Sequence, residues 1–106
     1  MNTKKTEISN NLSDLMDIDK DIHEPARLMI LSYLFVLESV DFVFLRGQTG
    51  LTWGNLSSHI AKLEEKQYVE VKKEFVRKKP RTIVKLTDKG KEAFLKYREK
   101  IKQILG

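Results

Sequence analysis

The sequence predicts a single α+β domain, mainly helical, with a two-stranded β-hairpin between its internal helices and its last one. Three observations carry this. Apolar residues recur at helical spacing in four separate stretches, beginning near Leu12, Ala26, Leu56 and Phe94. Two partly alternating runs, Tyr68–Val76 and Thr82–Leu86, flank the loop-like segment Arg77-Lys78-Lys79-Pro80-Arg81. The chain has 106 residues, 41% hydrophobic and 33% charged, which suits one small core rather than two domains, a disordered tail or a membrane protein.

The elements follow in order. Residues 1–10 are polar and read as a flexible N-terminus, leaving 11–106 as the folded domain. Leu12, Leu15 and Met16 predict a short helix around Asn11–Asp19 with an acidic outer face. The run Asp17-x-Asp19-x-Asp21 lacks the glycine and distal glutamate of a calcium loop, so it reads as a solvated helix end. Pro25 suits the first turn of the next helix, where its missing N–H costs nothing. From Ala26 to Leu37 apolar residues cover nearly the whole circumference, which predicts a central, buried helix. Ser39–Asp41 reads as a short extended break, and Phe42–Gln48 as a brief helix with Phe42 and Leu45 facing inward. Gly50 is a natural left-handed cap.

Thr52 is a good N-cap, and Leu51 and Leu56 have staple-like spacing. On a helix over about 52–66, Leu56, Ile60 and Leu63 form one apolar stripe with Trp53 on its flank. Gly54, Asn55, Ser58 and Lys62 fall opposite, so the outer face is small, polar and positively biased. The hairpin covers about 68–86 and has a strongly basic tip. Thr87 caps a final helix over about 88–105, where Phe94, Tyr97, Ile101 and Ile104 form a narrow seam. That seam can fold back on its own core or pair with a second chain; its length favours the dimer.

Charge is unevenly spread. Residues 1–50 carry five basic and eight acidic side chains, a net of −3, while residues 51–106 carry fifteen and seven, a net of +8. Lys72–Lys85 holds seven basic residues against Glu74 alone, which points to a polyanionic partner, most simply nucleic acid. Without cysteine there is no disulfide framework, thiol nucleophile or thiolate metal site. Two histidines, with no cysteine and no close His/Asp pairing, do not make a metal sensor, and no cofactor is expected. There is no phosphate-binding glycine loop and no nucleophile beside a base, so no enzymatic chemistry is expected. No signal-peptide pattern and no 18-residue apolar run is present, so the chain reads as soluble and cytoplasmic, with no membrane partner.

Short helices followed by a basic hairpin make the order of a winged helix-turn-helix. Phe42–Gln48 is then the supporting helix, Thr49–Leu51 the turn and Thr52–Lys66 the helix that enters the major groove of double-stranded DNA. Such a helix needs short polar side chains near its start, which Gly54, Asn55, Ser57 and Ser58 supply, so that its backbone can approach base edges. The hairpin tip would follow phosphates or the minor groove.

The residues resemble the small winged-helix transcriptional regulators related to the MarR and ArsR groups. The stretches that carry this are His23-Glu24-Pro25-Ala26-Arg27-Leu28, Asp41-Phe42-Val43-Phe44-Leu45 and Gly50-Leu51-Thr52-Trp53-Gly54-Asn55-Leu56-Ser57-Ser58-His59-Ile60. Tyr68-Val69, Lys79-Pro80-Arg81-Thr82, Leu86-Thr87 and Gly90 follow in order. The resemblance implies a sequence-specific regulator of transcription, repressor-like, acting as a homodimer on a pseudo-palindromic operator. It also implies DNA contacts from Thr52, Trp53, Asn55, Ser57, Ser58, His59 and Lys62, and a wing of Arg77, Lys78, Lys79, Arg81 and Thr82. Dimerisation would use the terminal helices, through Leu12, Leu15 and Met16 at one end and Phe94, Tyr97, Ile101 and Ile104 at the other.

Two positions depart from the family pattern. Gln67 stands where glycine usually caps the recognition helix, a strain of roughly 1 kcal/mol. Trp53 is large for the start of a groove-entering helix, and the sequence leaves open whether it meets the core flank or a thymine methyl. The alternative function is a winged-helix protein-interaction module whose basic hairpin only solubilises it. Small polar residues on the outer helix face favour DNA instead. No small-molecule effector is identifiable, because residues lining a dimer cleft read the same as core residues.

Overall fold

The computed structural model describes Ser13 and residues 16–106. The flexible terminus expected over 1–10, and Leu12 and Leu15 of the expected first helix, lie outside the described residues. Among the described residues, four complete helices and three strands follow one another: α1 (Pro25–Leu37), β1 (Ser39–Asp41), α2 (Phe42–Thr49), α3 (Trp53–Glu65), β2 (Val69–Val76), β3 (Lys79–Leu86) and α4 (Asp88–Leu105).

Each helix begins where a side chain satisfies its free N–H groups. Glu24 accepts from the Arg27 N–H, with Pro25 in the first turn of α1. Asp41 accepts from Val43 for α2, Thr52 from Asn55 for α3, and Thr87 from Gly90 for α4. Gly50 ends α2 in the left-handed conformation, with φ of 70°. Gln67 takes the same conformation after α3, with φ of 62°. There the Tyr68 N–H reaches the Leu63 carbonyl at 2.9 Å and the Gln67 N–H reaches that of Glu64 at 2.9 Å, a Schellman cap built without glycine. The strain expected at Gln67 is therefore in place.

The loop expected over Arg77–Arg81 is shorter: the hairpin β2–β3 turns through Arg77 and Lys78 alone, since Val76 pairs with Lys79, and Pro80 and Arg81 belong to β3. Because β1 pairs only with Ile83, Val84 and Lys85, β3 has a neighbour on one side alone at Pro80, a place where a strand tolerates proline. The extended break at Ser39–Asp41 is a third strand. It pairs antiparallel with β3, giving the sheet order β1-β3-β2. Only Val40 of its three residues is buried, so it had no periodicity to read.

The core draws on every helix: Ile30, Leu31 and Leu34 from α1, Leu45 from α2, Leu56, Ile60 and Leu63 from α3, and Phe94 and Tyr97 from α4. Val40, Val69 and Val84 add the sheet, and Ile18 and Ile22 close it from the turn before α1. Gly90 permits the closest approach. A Cβ there would stand 2.1 Å from the Tyr68 carbonyl oxygen, so α4 meets the start of β2 only because this residue has no side chain.

Three further expectations need correction. First, α1 is not buried all round. Ile30, Leu31 and Leu34 are buried, but Met29, Val36 and Leu37 are exposed because the domain covers one stripe of the helix only. They border a groove of about 770 Å³ with Leu28, Tyr33 and Phe44. Second, Phe94 and Tyr97 are not free for a seam with another chain. Both are buried in their own core, where Phe94 meets Phe35 with ring centroids 5.1 Å apart and Tyr97 bonds to His23 at 2.8 Å. Ile101 and Ile104 remain half-buried beyond them, and Met16 is exposed. Third, the acidic run is not simply solvated. Asp19 accepts from the N–H groups of Asp21 and Ile22 and from the Tyr68 hydroxyl, while Asp21 lies 3.5 Å from the Lys66 ammonium.

Candidate nucleic-acid interface

Helix α3 turns Leu56, Ile60 and Leu63 into the core, and this fixes what it shows to solvent. Thr52, Trp53, Asn55, Ser57, Ser58 and Lys62 are all exposed. The first two turns present no long polar side chain outward. Gly54 has open space around it, with no atom within 4 Å of where a Cβ would sit. Another body can therefore approach the α3 backbone closely.

Trp53 belongs to the scaffold as well as the surface. Its ring stacks on Phe42 at 5.7 Å and 12°, and the Arg46 guanidinium lies 5.1 Å from its centroid. The large residue thus clamps the start of α3 to α2, while about half of it stays exposed.

His59 turns the other way. It is half-buried, and its Nδ1 lies 3.1 Å from an Arg27 terminal nitrogen and 3.6 Å from Glu24 Oε2. Arginine can only donate, so in this hydrogen bond Nδ1 accepts and the ring proton sits on Nε2. Arg27 itself is buried, and its Nε donates to the Asp21 carbonyl. Burial pushes the Glu24 carboxyl up. The N–H groups of Arg27 and Ala26 and the charge of Arg27 outweigh this and hold it below its ordinary value. This Glu24–Arg27–His59 cluster ties the middle of α3 to the start of α1. Sequence reasoning missed it, because Arg27 and His59 are 32 positions apart. Nearby, burial raises the Tyr68 hydroxyl above its ordinary value, reinforced by its hydrogen bond to Asp19 and the charges of Asp19 and Asp21.

The basic hairpin projects past the core. Arg77, Lys78, Lys79 and Arg81 are exposed, and Thr82 is half-buried at its base. Arg81 is not free: its guanidinium lies 3.3 Å from Asp41, whose other oxygen caps α2. This pair anchors the hairpin to the start of the supporting helix. Arg77 and Lys78 hold φ of 53° and 65°, a left-handed pair that usually selects asparagine and glycine in a two-residue hairpin turn. Ser57 and Glu64 of α3 share a groove of about 290 Å³ with Lys73 and Thr82 of the hairpin, so helix and wing form one continuous surface. Among the described residues no group of three or more His, Asp or Glu side chains is placed to hold a metal ion, and no helix is long and apolar enough to cross a membrane.

The arrangement matches known proteins. A family model for the winged helix DNA-binding domain matches residues 26–105. An uncharacterized protein of Methanocaldococcus jannaschii is 40% identical over 85 residues, which is 80% of this chain and 92% of that protein. A solved transcriptional regulator homologue from Pyrococcus horikoshii is 30% identical, with a TM-score of 0.83 over 91% of this chain and 94% of its own. The structure of NadR in complex with 4-hydroxyphenylacetate shares the fold at 19% identity and a TM-score of 0.67, covering 97% of this chain and 75% of that one. With the exposed, short-chained face of α3, the basic hairpin and the family model in agreement, the chain belongs to the winged helix DNA-binding domain family.

Proposed function

We propose that this protein is a sequence-specific, repressor-like regulator of transcription that binds double-stranded DNA as a homodimer. One observation carries the reading: the exposed face of α3 is small and polar where a groove-entering helix must be, and the basic hairpin adjoins it. Asn55 and Ser58 read base edges. Thr52 meets a phosphate at the start of α3, where free N–H groups point outward. Lys62, Arg77, Lys78 and Lys79 neutralise phosphates and set the register.

Dimerisation is supported by apolar surface that one chain leaves uncovered. Val36 is 77% and Leu105 81% exposed, and Met29 and Leu37 are also open. A second copy covering the α1 groove and the end of α4 would bury them. Two-fold symmetry would then set two recognition helices about one DNA turn apart, on a pseudo-palindromic operator.

The test begins with selection of a preferred duplex from a random library. Asn55→Ala should weaken binding to that duplex by about 1–3 kcal/mol and leave binding to random DNA nearly unchanged. Equal losses on both would move Asn55 from base reading to phosphate contact or folding.

A further inference from the structure

Phe75 is 80% exposed, the most exposed aromatic side chain among the described residues, and it sits on the basic hairpin. Its cross-strand partner is Pro80, which is also exposed. Residues two apart share a face of a strand, so Phe75 lies on the side of β2 that carries Lys73 and, further back, the partly buried Val71. Lys73 and Thr82 line the groove against Ser57 and Glu64 of α3. The Phe75–Pro80 pair thus extends, towards the tip, the face that the wing turns to the recognition helix.

A hairpin serving only solubility gains nothing from a solvent-exposed phenyl ring, whose apolar surface is costly to hydrate. The surrounding Arg77, Lys78 and Lys79 repel a basic partner and favour a polyanion. On a duplex, phosphates offer an apolar ring nothing. The sugars and base steps of the minor groove do, and apolar wedges there unstack and bend DNA. The tip is a two-residue turn, so no longer loop stands beyond the Phe75–Pro80 pair.

We propose that Phe75, backed by Pro80, is an apolar wedge that enters the minor groove next to the site held by α3, opens a base step and bends the duplex. The inference rests on the DNA-binding reading above and adds a second mode of recognition. Specificity then includes easily unstacked pyrimidine–purine steps in the flank that the wing reaches.

The experiment compares wild type, Phe75→Ala and Phe75→Leu on two end-labelled duplexes, one of random sequence and one selected from a library. Affinity is read by anisotropy across a salt series and bending by end-to-end energy transfer. Circular dichroism checks that the exposed substitutions leave the fold intact. Phe75→Ala should lose about tenfold in affinity for the selected duplex at every salt concentration, with an unchanged log–log slope because no charge is removed. It should also lose the bend, and Phe75→Leu should restore most of both. Wild-type affinity and bending in Phe75→Ala would overturn the wedge and leave DNA binding standing, as would lost affinity with the bend retained. Absence of salt-dependent binding by the wild type to either duplex would instead overturn the DNA-binding reading, and the wedge with it.

Discussion

Replacing Arg77 and Lys78 by asparagine and glycine should make the protein more stable and a weaker DNA binder. Both residues hold positive φ, 53° and 65°, in a two-residue turn between Val76 and Lys79. An L-residue with a Cβ in this region costs roughly 1–2 kcal/mol, and Asn-Gly is the pair that such turns favour. Allowing for the extra unfolded-state entropy of glycine, the double substitution should stabilise by about 1–2 kcal/mol in total. For a domain of this size each kcal/mol raises Tm by roughly 4–8 °C. The same change removes two exposed cations from the wing tip. If each neutralises one phosphate, the slope of log affinity against log salt should flatten by about 1.8. Thermal unfolding by circular dichroism and anisotropy titrations across salt read the two effects separately. An unchanged or lower Tm would show that the turn is unstrained. An unchanged slope would show that the tip does not touch phosphate, and the basic strained turn would lose its functional explanation.

Further outcomes are expected. Gly90→Ala should destabilise by about 3 kcal/mol in chemical denaturation, because its Cβ would meet the Tyr68 backbone at 2.1 Å. Gly54→Ala, with open space around it, should instead stabilise α3 by up to about 1 kcal/mol. Glu24 has a folded-state pKa below its ordinary value, so its stabilisation is complete above the unfolded pKa and is lost as pH falls through the folded one. Glu24→Gln should therefore cost on the order of 1 kcal/mol at pH 7, a deficit that shrinks in acid, and a pH-independent deficit would contradict this. Val36→Glu should convert a dimer to monomers in sedimentation without loss of helicity, since Val36 is 77% exposed within one chain. A surviving dimer would move the interface away from the α1 groove.

The parts legible in the sequence were those with local causes. The stripe Leu56, Ile60 and Leu63, the Thr52 cap and the Gly50 turn fixed α3 from one short stretch, and its exposed face followed by subtraction. The resemblance to small winged-helix regulators drew on that stretch and on others in order from His23 to Gly90, and is borne out by the family match over residues 26–105. What escaped depends on distant neighbours. The strand at Ser39–Asp41 exists because β3 lies beside it more than forty positions later. Arg27 is buried because the Asp21 carbonyl and the His59 ring meet it there, which no helical pattern reports. The exposed side of α1 was hidden because apolarity on every face reads as burial, whether the cover comes from the same chain or another. His59 looked like a DNA contact from its place on α3, yet its Nδ1 serves the Arg27 cluster. Trp53, left open between core and surface, stacks on Phe42 because α2 runs beside the start of α3.

The central claim is that α3 and the wing form one DNA-tracking surface. Binding of the purified protein to a random-sequence duplex, followed by fluorescence anisotropy across a salt series, tests it most directly. The account predicts roughly micromolar binding at low salt that weakens with a log–log slope of about −3 or steeper, as the wing and Lys62 cations neutralise phosphates. No binding at low salt would contradict it, and the basic hairpin would then be a solubility feature of a protein-binding module.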